Sequence, residues 1–93
     1  MLGQRICAMR TALGWSQVDF AKRLGVAKQT VSNWENDNIQ PSIEMLVRVA
    51  KILNVSTDYL LGLNQDLRLD VQGLPPEVVA HISALIDDYR AML

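Results

Sequence analysis

A connection of only three residues, Gly25-Val26-Ala27, constrains this chain more than any other feature of its sequence. Before it, Ser16 and the acid three residues later resemble a capping box, which predicts a helix over residues 17–24. After it, Val31 and Trp34 recur at helical spacing. A turn this short, with glycine at its start, joins two helices at a steep angle. The sequence therefore predicts two short helices that are held across each other.

Helical periods recur along the rest of the chain, whereas no segment alternates with the period of two that is typical of a strand. A first helix ends at Gly14. Ser42 is a good cap for a fourth helix, and Ser56 caps a short fifth helix that Gly62 closes. The apolar face of the fourth helix is expected to comprise Ile43, Leu46, Val47, Ala50 and Leu53. We therefore predict an all-α fold with five helices in residues 1–62.

Composition excludes several classes of protein. The net charge is −1, but residues 1–62 carry seven Lys/Arg against five acids, whereas residues 63–93 carry two against five. No apolar run approaches the ~18 residues that span a membrane. The single cysteine, Cys7, cannot form an internal disulfide, so we expect a reducing cytoplasm. No metal-ligand spacing and no glycine-rich phosphate loop is present, so we expect neither an enzyme nor a cofactor.

The carboxyl-terminal third has a different character. Residues 63–74 are interpreted as a linker, and the two prolines at 75 and 76 start a helix over residues 75–93. Its apolar residues repeat in steps of three and four: Val78, Val79, Ile82, Leu85, Ile86, Tyr89 and Met92. This stripe either folds back on the first domain or is an oligomerisation surface. We favour a homodimer, because an apolar helix on a flexible tether stays exposed unless it pairs.

Residues 3–62 resemble the Cro-like and phage-repressor-like (Xre) helix-turn-helix DNA-binding proteins. The resemblance rests on many positions in register: Ser16-Gln17, Ala21, Leu24-Gly25-Val26, Val31-Ser32, Trp34-Glu35, Pro41-Ser42, Leu46, Ala50, Leu53, Val55 and "YLLG" at 59–62. It implies a five-helix, lambda-repressor-like DNA-binding domain, to which this chain adds a carboxyl-terminal helix.

The resemblance also implies which residues contact double-stranded DNA. The helix 28–36 is the expected recognition helix, because its polar residues face outward where Val31 and Trp34 face the core. The expected base-reading residues are Lys28, Gln29, Ser32 and Asn33. The expected phosphate-contacting residues are Gln17, Arg10, Thr30, Asn36, Asn38 and Ser42. Arg10 and Glu35 also match an internal ion pair of some relatives.

Asp37 departs from the family pattern, in which this position is commonly glycine. Aspartate tolerates the left-handed backbone that such a position requires. A carboxylate near DNA phosphates is unfavourable, however, and the loop that follows lacks Lys and Arg. We therefore expect modest affinity for DNA per monomer and a modest dependence on salt.

The sequence thus predicts a sequence-specific transcriptional regulator of a bacterium or phage, acting in the cytoplasm as a dimeric repressor on an inverted-repeat operator. Two alternatives remain open. In one, the protein is an antitoxin-type regulator whose carboxyl-terminal helix binds a partner protein. In the other, it is a protein-interaction module that has kept the fold and lost DNA binding.

Overall fold

The computed structural model describes residues 1–93, and every regular element in it is a helix. The all-α prediction is therefore confirmed. None of the helices is long and apolar enough to cross a membrane. Their bounds are α1 Leu2–Ala12, α2 Gln17–Leu24, α3 Lys28–Glu35, α4 Ile43–Leu53, α5 Thr57–Leu60 and α6 Pro76–Ala91.

Local signals in the sequence set the ends of these helices. The side chains of Ser16, Ser42 and Ser56 each accept a hydrogen bond from the backbone N–H three residues later. The Asp19 carboxylate in turn accepts from the Ser16 N–H, which completes the capping box of α2. Gly25 ends α2 with a φ of 72°, in the left-handed region that glycine adopts without strain. This turn is what directs the chain from α2 into α3.

Helices α1 to α5 share one core of ten buried apolar residues: Ile6, Phe20, Ala21, Leu24, Val31, Trp34, Val49, Ala50, Leu53 and Leu60. Every helix of the five contributes at least one of them. Val31 and Trp34 are the two buried residues of α3, so α3 is fixed to the core by one face only. Its other face remains available.

The face that α4 turns to the core differs from the sequence prediction. Ile43 is 84% exposed and Val47 is also exposed, whereas Val49 is fully buried. Helix α4 is apolar on more than one side, so periodicity alone did not identify the face that packs. The prediction for Ile43 and Val47 was wrong, while Ala50 and Leu53 are buried as expected.

The segment between α5 and α6 has no regular structure, but part of it lies against the five-helix core. Leu67 and Leu69 line a surface hollow of about 270 Å³ together with Met9, Leu13 and Leu53. Helix α6 follows this segment, and none of its 16 residues is buried. It begins at Pro76 and ends at Ala91, one residue and two residues inside the predicted range.

Candidate nucleic-acid interface

The outward face of α3 carries short and medium polar side chains. Lys28 and Gln29 are exposed, and Ser32 and Asn33 are half-buried at the edge of the face. The Gln29 amide nitrogen donates to Asn33 Oδ1 at 3.1 Å, one helical turn away. The Gln29 oxygen and the Asn33 amide nitrogen then remain free to accept and to donate. The four residues predicted to read bases thus share one surface, which displays both donors and acceptors.

A network beneath this face fixes α3 against α1 and α2. Arg10 donates to the Glu35 carboxylate through Nε at 2.6 Å and through Nη2 at 2.9 Å, while its Nη1 donates to the Trp15 carbonyl at 2.7 Å. The Gln17 amide donates to the same carboxylate at 3.0 Å. The Arg10 and Glu35 side chains are only 11% and 4% exposed. The network joins the first three helices at one carboxylate.

The two charges of the pair stabilise each other. Burial raises the pKa of Glu35, but hydrogen bonds from Arg10 and Gln17 outweigh burial and hold that pKa below its usual value. The hydrogen bond to Glu35 raises the pKa of Arg10 in turn. Of the two roles expected for Arg10, the geometry supports the ion pair, because each of its guanidinium nitrogens already has a protein partner. A phosphate contact through Arg10 would require one of these bonds to break.

The amino-terminal end of α2 offers free donors beside this network. Its capping box satisfies the N–H of Asp19, so the N–H groups of Gln17 and Val18 remain available. Such groups at the positive end of a helix are well suited to a phosphate. The Gln17 side chain is half-buried and held by Glu35, which leaves its oxygen and one N–H free.

The remaining residues that were predicted to contact phosphates lie along α3 and the loop after it. Thr30 is half-buried, whereas Asn36, Asn38 and Ser42 are exposed. The Asn36 amide donates to Ser32 Oγ at 3.3 Å. The Ser42 Oγ accepts the N–H of Met45 at 3.2 Å, which leaves its hydroxyl proton free for an outside acceptor.

Asp37 makes a contact that the sequence did not reveal. Its backbone has a φ of 57°, so the expected left-handed conformation is present. Its Oδ1 accepts the backbone N–H of Gly3, in the first turn of α1, at 3.1 Å. Gly3 is buried against the carboxyl-terminal end of α3 and carries no signal of this in the sequence. A contact between residues 34 positions apart depends on tertiary structure and has no local pattern.

Residues 8–60 match the family model described as "Helix-turn-helix". Among curated proteins, the chain is 32% identical over 93 residues to the regulator YonR of Bacillus subtilis, a match that covers 98% of this chain and 86% of YonR. It is 38% identical over 61 residues to the HTH-type transcriptional regulator ImmR of the same organism. That match covers 66% of this chain, which spans about half (48%) of the length of ImmR.

Two solved structures share the fold. One is the c2 repressor of phage P22 in complex with a synthetic operator, which has a TM-score of 0.65, an identity of 36% and coverage of 69% of this chain and 97% of that chain. The other is the complex of the SinR and SinI proteins, which has a TM-score of 0.63, an identity of 28% and coverage of the whole of both chains.

Proposed function

We propose, on the evidence that this chain belongs to the helix-turn-helix family, that it is a sequence-specific DNA-binding transcriptional regulator and not an enzyme. In this proposal α3 enters the major groove, and Lys28, Gln29, Ser32 and Asn33 read base edges. The observation that carries it is the fixed orientation of α3, whose inner face is buried through Val31 and Trp34. The operator complex of the similar P22 repressor supports the same use of the fold.

The chemistry of the outer face suits the major groove. A glutamine or asparagine amide can pair with both N6 and N7 of adenine, and a lysine can reach O6 and N7 of guanine. Because Gln29 and Asn33 are already bonded to each other, their amides lose less conformational freedom on binding than free side chains would. Each such pair contributes roughly 1–3 kcal/mol of discrimination against the wrong base.

Phosphate contacts would orient the domain on the duplex. We assign this role to the α2 amino terminus with Gln17, to Thr30, and to Asn36, Asn38 and Ser42 in the loop after α3. Only Lys28 among these and the base-reading residues carries a positive charge. The affinity of one domain should therefore be modest and should depend only weakly on salt.

A homodimer formed through residues 75–93 would supply the missing affinity. Part of the apolar stripe of α6 is uncovered in the single chain, where Leu85 is 57% and Tyr89 is 66% exposed. Val79, Ile82 and Ile86 are half-buried. Two linked domains bind two half-sites more tightly than either binds one, because the second contact is intramolecular. In this proposal, residues 63–74 link the DNA-binding domain 1–62 to the dimerising helix, and the dimer represses by occupying an inverted repeat.

The exposed part of the same stripe supports a second candidate, in which α6 binds a different protein, as in an antitoxin-type regulator. The similarity of the whole chain to the SinR and SinI complex favours keeping this candidate. The two hypotheses differ in the oligomeric state that they predict for the purified protein. A homodimer forms from the purified protein alone, whereas partner binding leaves the purified protein monomeric.

Selection of duplexes from a random pool at near-physiological salt tests the proposal. We expect recovery of an inverted repeat whose half-sites lie about one helical turn, ~34 Å, apart. Recovery of single half-sites would support DNA reading without the homodimer. If no duplex is enriched above background, sequence-specific DNA binding would be contradicted and a protein-interaction module favoured.

A further inference from the structure

Asp37 joins the end of the proposed recognition helix to the start of the chain. It follows Asn36, which caps α3, and its Oδ1 accepts the Gly3 N–H at 3.1 Å. The first N–H groups of a helix have no partner within that helix. No side chain from the neighbourhood of α1 caps it, because Met1 occupies its cap position without a side-chain hydrogen bond. Asp37 therefore satisfies one donor of α1 from a distant part of the sequence.

The approach of the two segments is close enough to require glycine at position 3. A Cβ there would lie 2.5 Å from the Trp34 carbonyl oxygen, 2.7 Å from that of Glu35 and 2.8 Å from the Asp37 carboxylate. Two of these three atoms belong to the backbone at the end of α3 and cannot move independently. The amino terminus of α1 thus contacts the end of α3 closely, with glycine on the α1 side and the Asp37 acceptor on the α3 side.

The same contact restrains the loop that was assigned to phosphates. The Asp37 N–H donates to the Trp34 carbonyl at 3.1 Å, and the Asn38 N–H donates to the Asn33 carbonyl at 2.9 Å. These bonds fold the loop back on α3. The Asp37 side chain adds the one bond from this turn to α1. Asn36 and Asn38, on either side of Asp37, are held by this arrangement.

We propose that Asp37 is a positioning residue for DNA binding, which holds Asn36 and Asn38 in place through its bond to Gly3. The inference rests on the proposed phosphate role of that loop. The carboxylate lies at the positive end of α1, where a helix stabilises a negative charge. The carboxylate can therefore cap α1 as well as carry a charge near the phosphates. Asp37 then supports the interface from within and does not merely repel DNA.

Two variants that carry the same charge separate the acceptor from the charge. Asp37→Asn removes the charge and keeps the Oδ1 acceptor and the tolerance of a left-handed backbone. Asp37→Gly also removes the charge and keeps the backbone conformation, but has no acceptor. The test compares the affinities of both variants and the wild type for the selected duplex, at a temperature where circular dichroism shows each protein to be folded. We expect Asp37→Gly to bind about three- to tenfold more weakly than Asp37→Asn, as the loss of one hydrogen bond implies.

Repetition at two salt concentrations provides a readout that charge alone would not reproduce. The difference between Asp37→Asn and Asp37→Gly should persist at high salt, because screening weakens charge effects and not the acceptor. Faster exchange of the Asn38 amide hydrogen in Asp37→Gly would further support the proposal. Gly3→Ala, which breaks the contact from its other side, should weaken binding in the same direction.

Equal affinities of Asp37→Asn and Asp37→Gly would overturn the positioning role, since the acceptor would then have no effect. If both bound equally and more tightly than the wild type, Asp37 would act only as a repelling charge. Failure of the wild type to bind any duplex would instead overturn the proposed function, and this inference with it. The two failures are therefore distinguishable.

Discussion

At the scale of single residues, the proposed interface divides amide side chains between two tasks. Gln29 and Asn33 lie on the outer face of α3 and are bonded to each other. Gln17 lies at the start of α2 and is bonded to the buried Glu35. Gln29 and Asn33 would face the base edges in the major groove. Gln17 would orient the amino-terminal end of α2 toward a phosphate.

Gln29→Ala should change which base is preferred at one position of the half-site, because the base that Gln29 contacts loses a bidentate hydrogen-bond partner. The expected loss on the preferred duplex is roughly 1–3 kcal/mol of binding free energy, with little loss on duplexes altered at that base. Gln17→Ala is the control, since it should weaken binding to all duplexes by a similar factor. Competition binding against a panel of single-base variants measures both. A uniform loss for Gln29→Ala would show that Gln29 does not read a base.

The Arg10–Glu35 pair should matter mainly for folding. Arg10→Ala leaves a carboxylate that is 4% exposed without its cation, which we expect to lower the free energy of unfolding by about 3 kcal/mol. Arg68→Ala is the matched control, because its pair with Asp66 is 3.5 Å long and largely exposed. Urea unfolding should show no resolvable effect for the control. Similar effects of the two substitutions would contradict a structural role for the buried pair.

The same pair predicts how stability depends on pH. The folded state lowers the pKa of Glu35, so this group stabilises the wild type above the ordinary carboxyl pKa of ~4.3, and the contribution is lost as pH falls through the lowered value. In Arg10→Ala, burial is expected to raise that pKa, so protonation relieves the unpaired charge. The difference in unfolding free energy between wild type and Arg10→Ala should therefore shrink between pH 7 and pH 3. A difference that stays constant with pH would show that Glu35 is not the group responsible.

At the scale of elements, the sequence predicted the helices better than their partners. Serine caps and left-handed glycines are local signals, so the starts of α2, α4 and α5 and the end of α2 could be identified from a few residues. The packing face of α4 could not, because Ile43 and Val49 are both apolar and only the neighbouring helices decide which is covered. The bond from Asp37 to Gly3 was likewise unpredictable, since the residues are distant in sequence. The candidate site was predictable only as far as α3 itself fixes which side chains face outward.

Helix α6 is the element for which a single charge should decide the assembly. Leu85→Glu places a carboxylate in the apolar stripe and should convert the proposed homodimer to a monomer, because an unpaired charge cannot be buried at low cost. Ala84→Glu adds the same charge at an exposed position outside the stripe and should leave the proposed homodimer intact. Sedimentation velocity distinguishes the two masses. A wild-type protein that is already monomeric would favour the hypothesis that α6 binds another protein.

At the scale of the whole molecule, we propose that a DNA-binding domain of limited affinity is joined to a separate helix that pairs two copies of the chain. Residues 1–62 carry the small excess of positive charge, and residues 63–93 carry the excess of negative charge. The net negative charge of residues 63–93 disfavours contact with a phosphate backbone. This distribution agrees with a division in which the first part faces DNA and the second faces protein.

We therefore propose that two copies of the chain bind DNA together. The most direct test compares the affinity of the wild type for duplexes that contain one selected half-site or an inverted pair. We predict that the inverted pair is bound at least tenfold more tightly, as expected for an intramolecular second contact. We also predict that Leu85→Glu removes this advantage, whereas Ala84→Glu keeps it. Equal wild-type affinities for one half-site and for two would contradict binding of DNA by two paired copies.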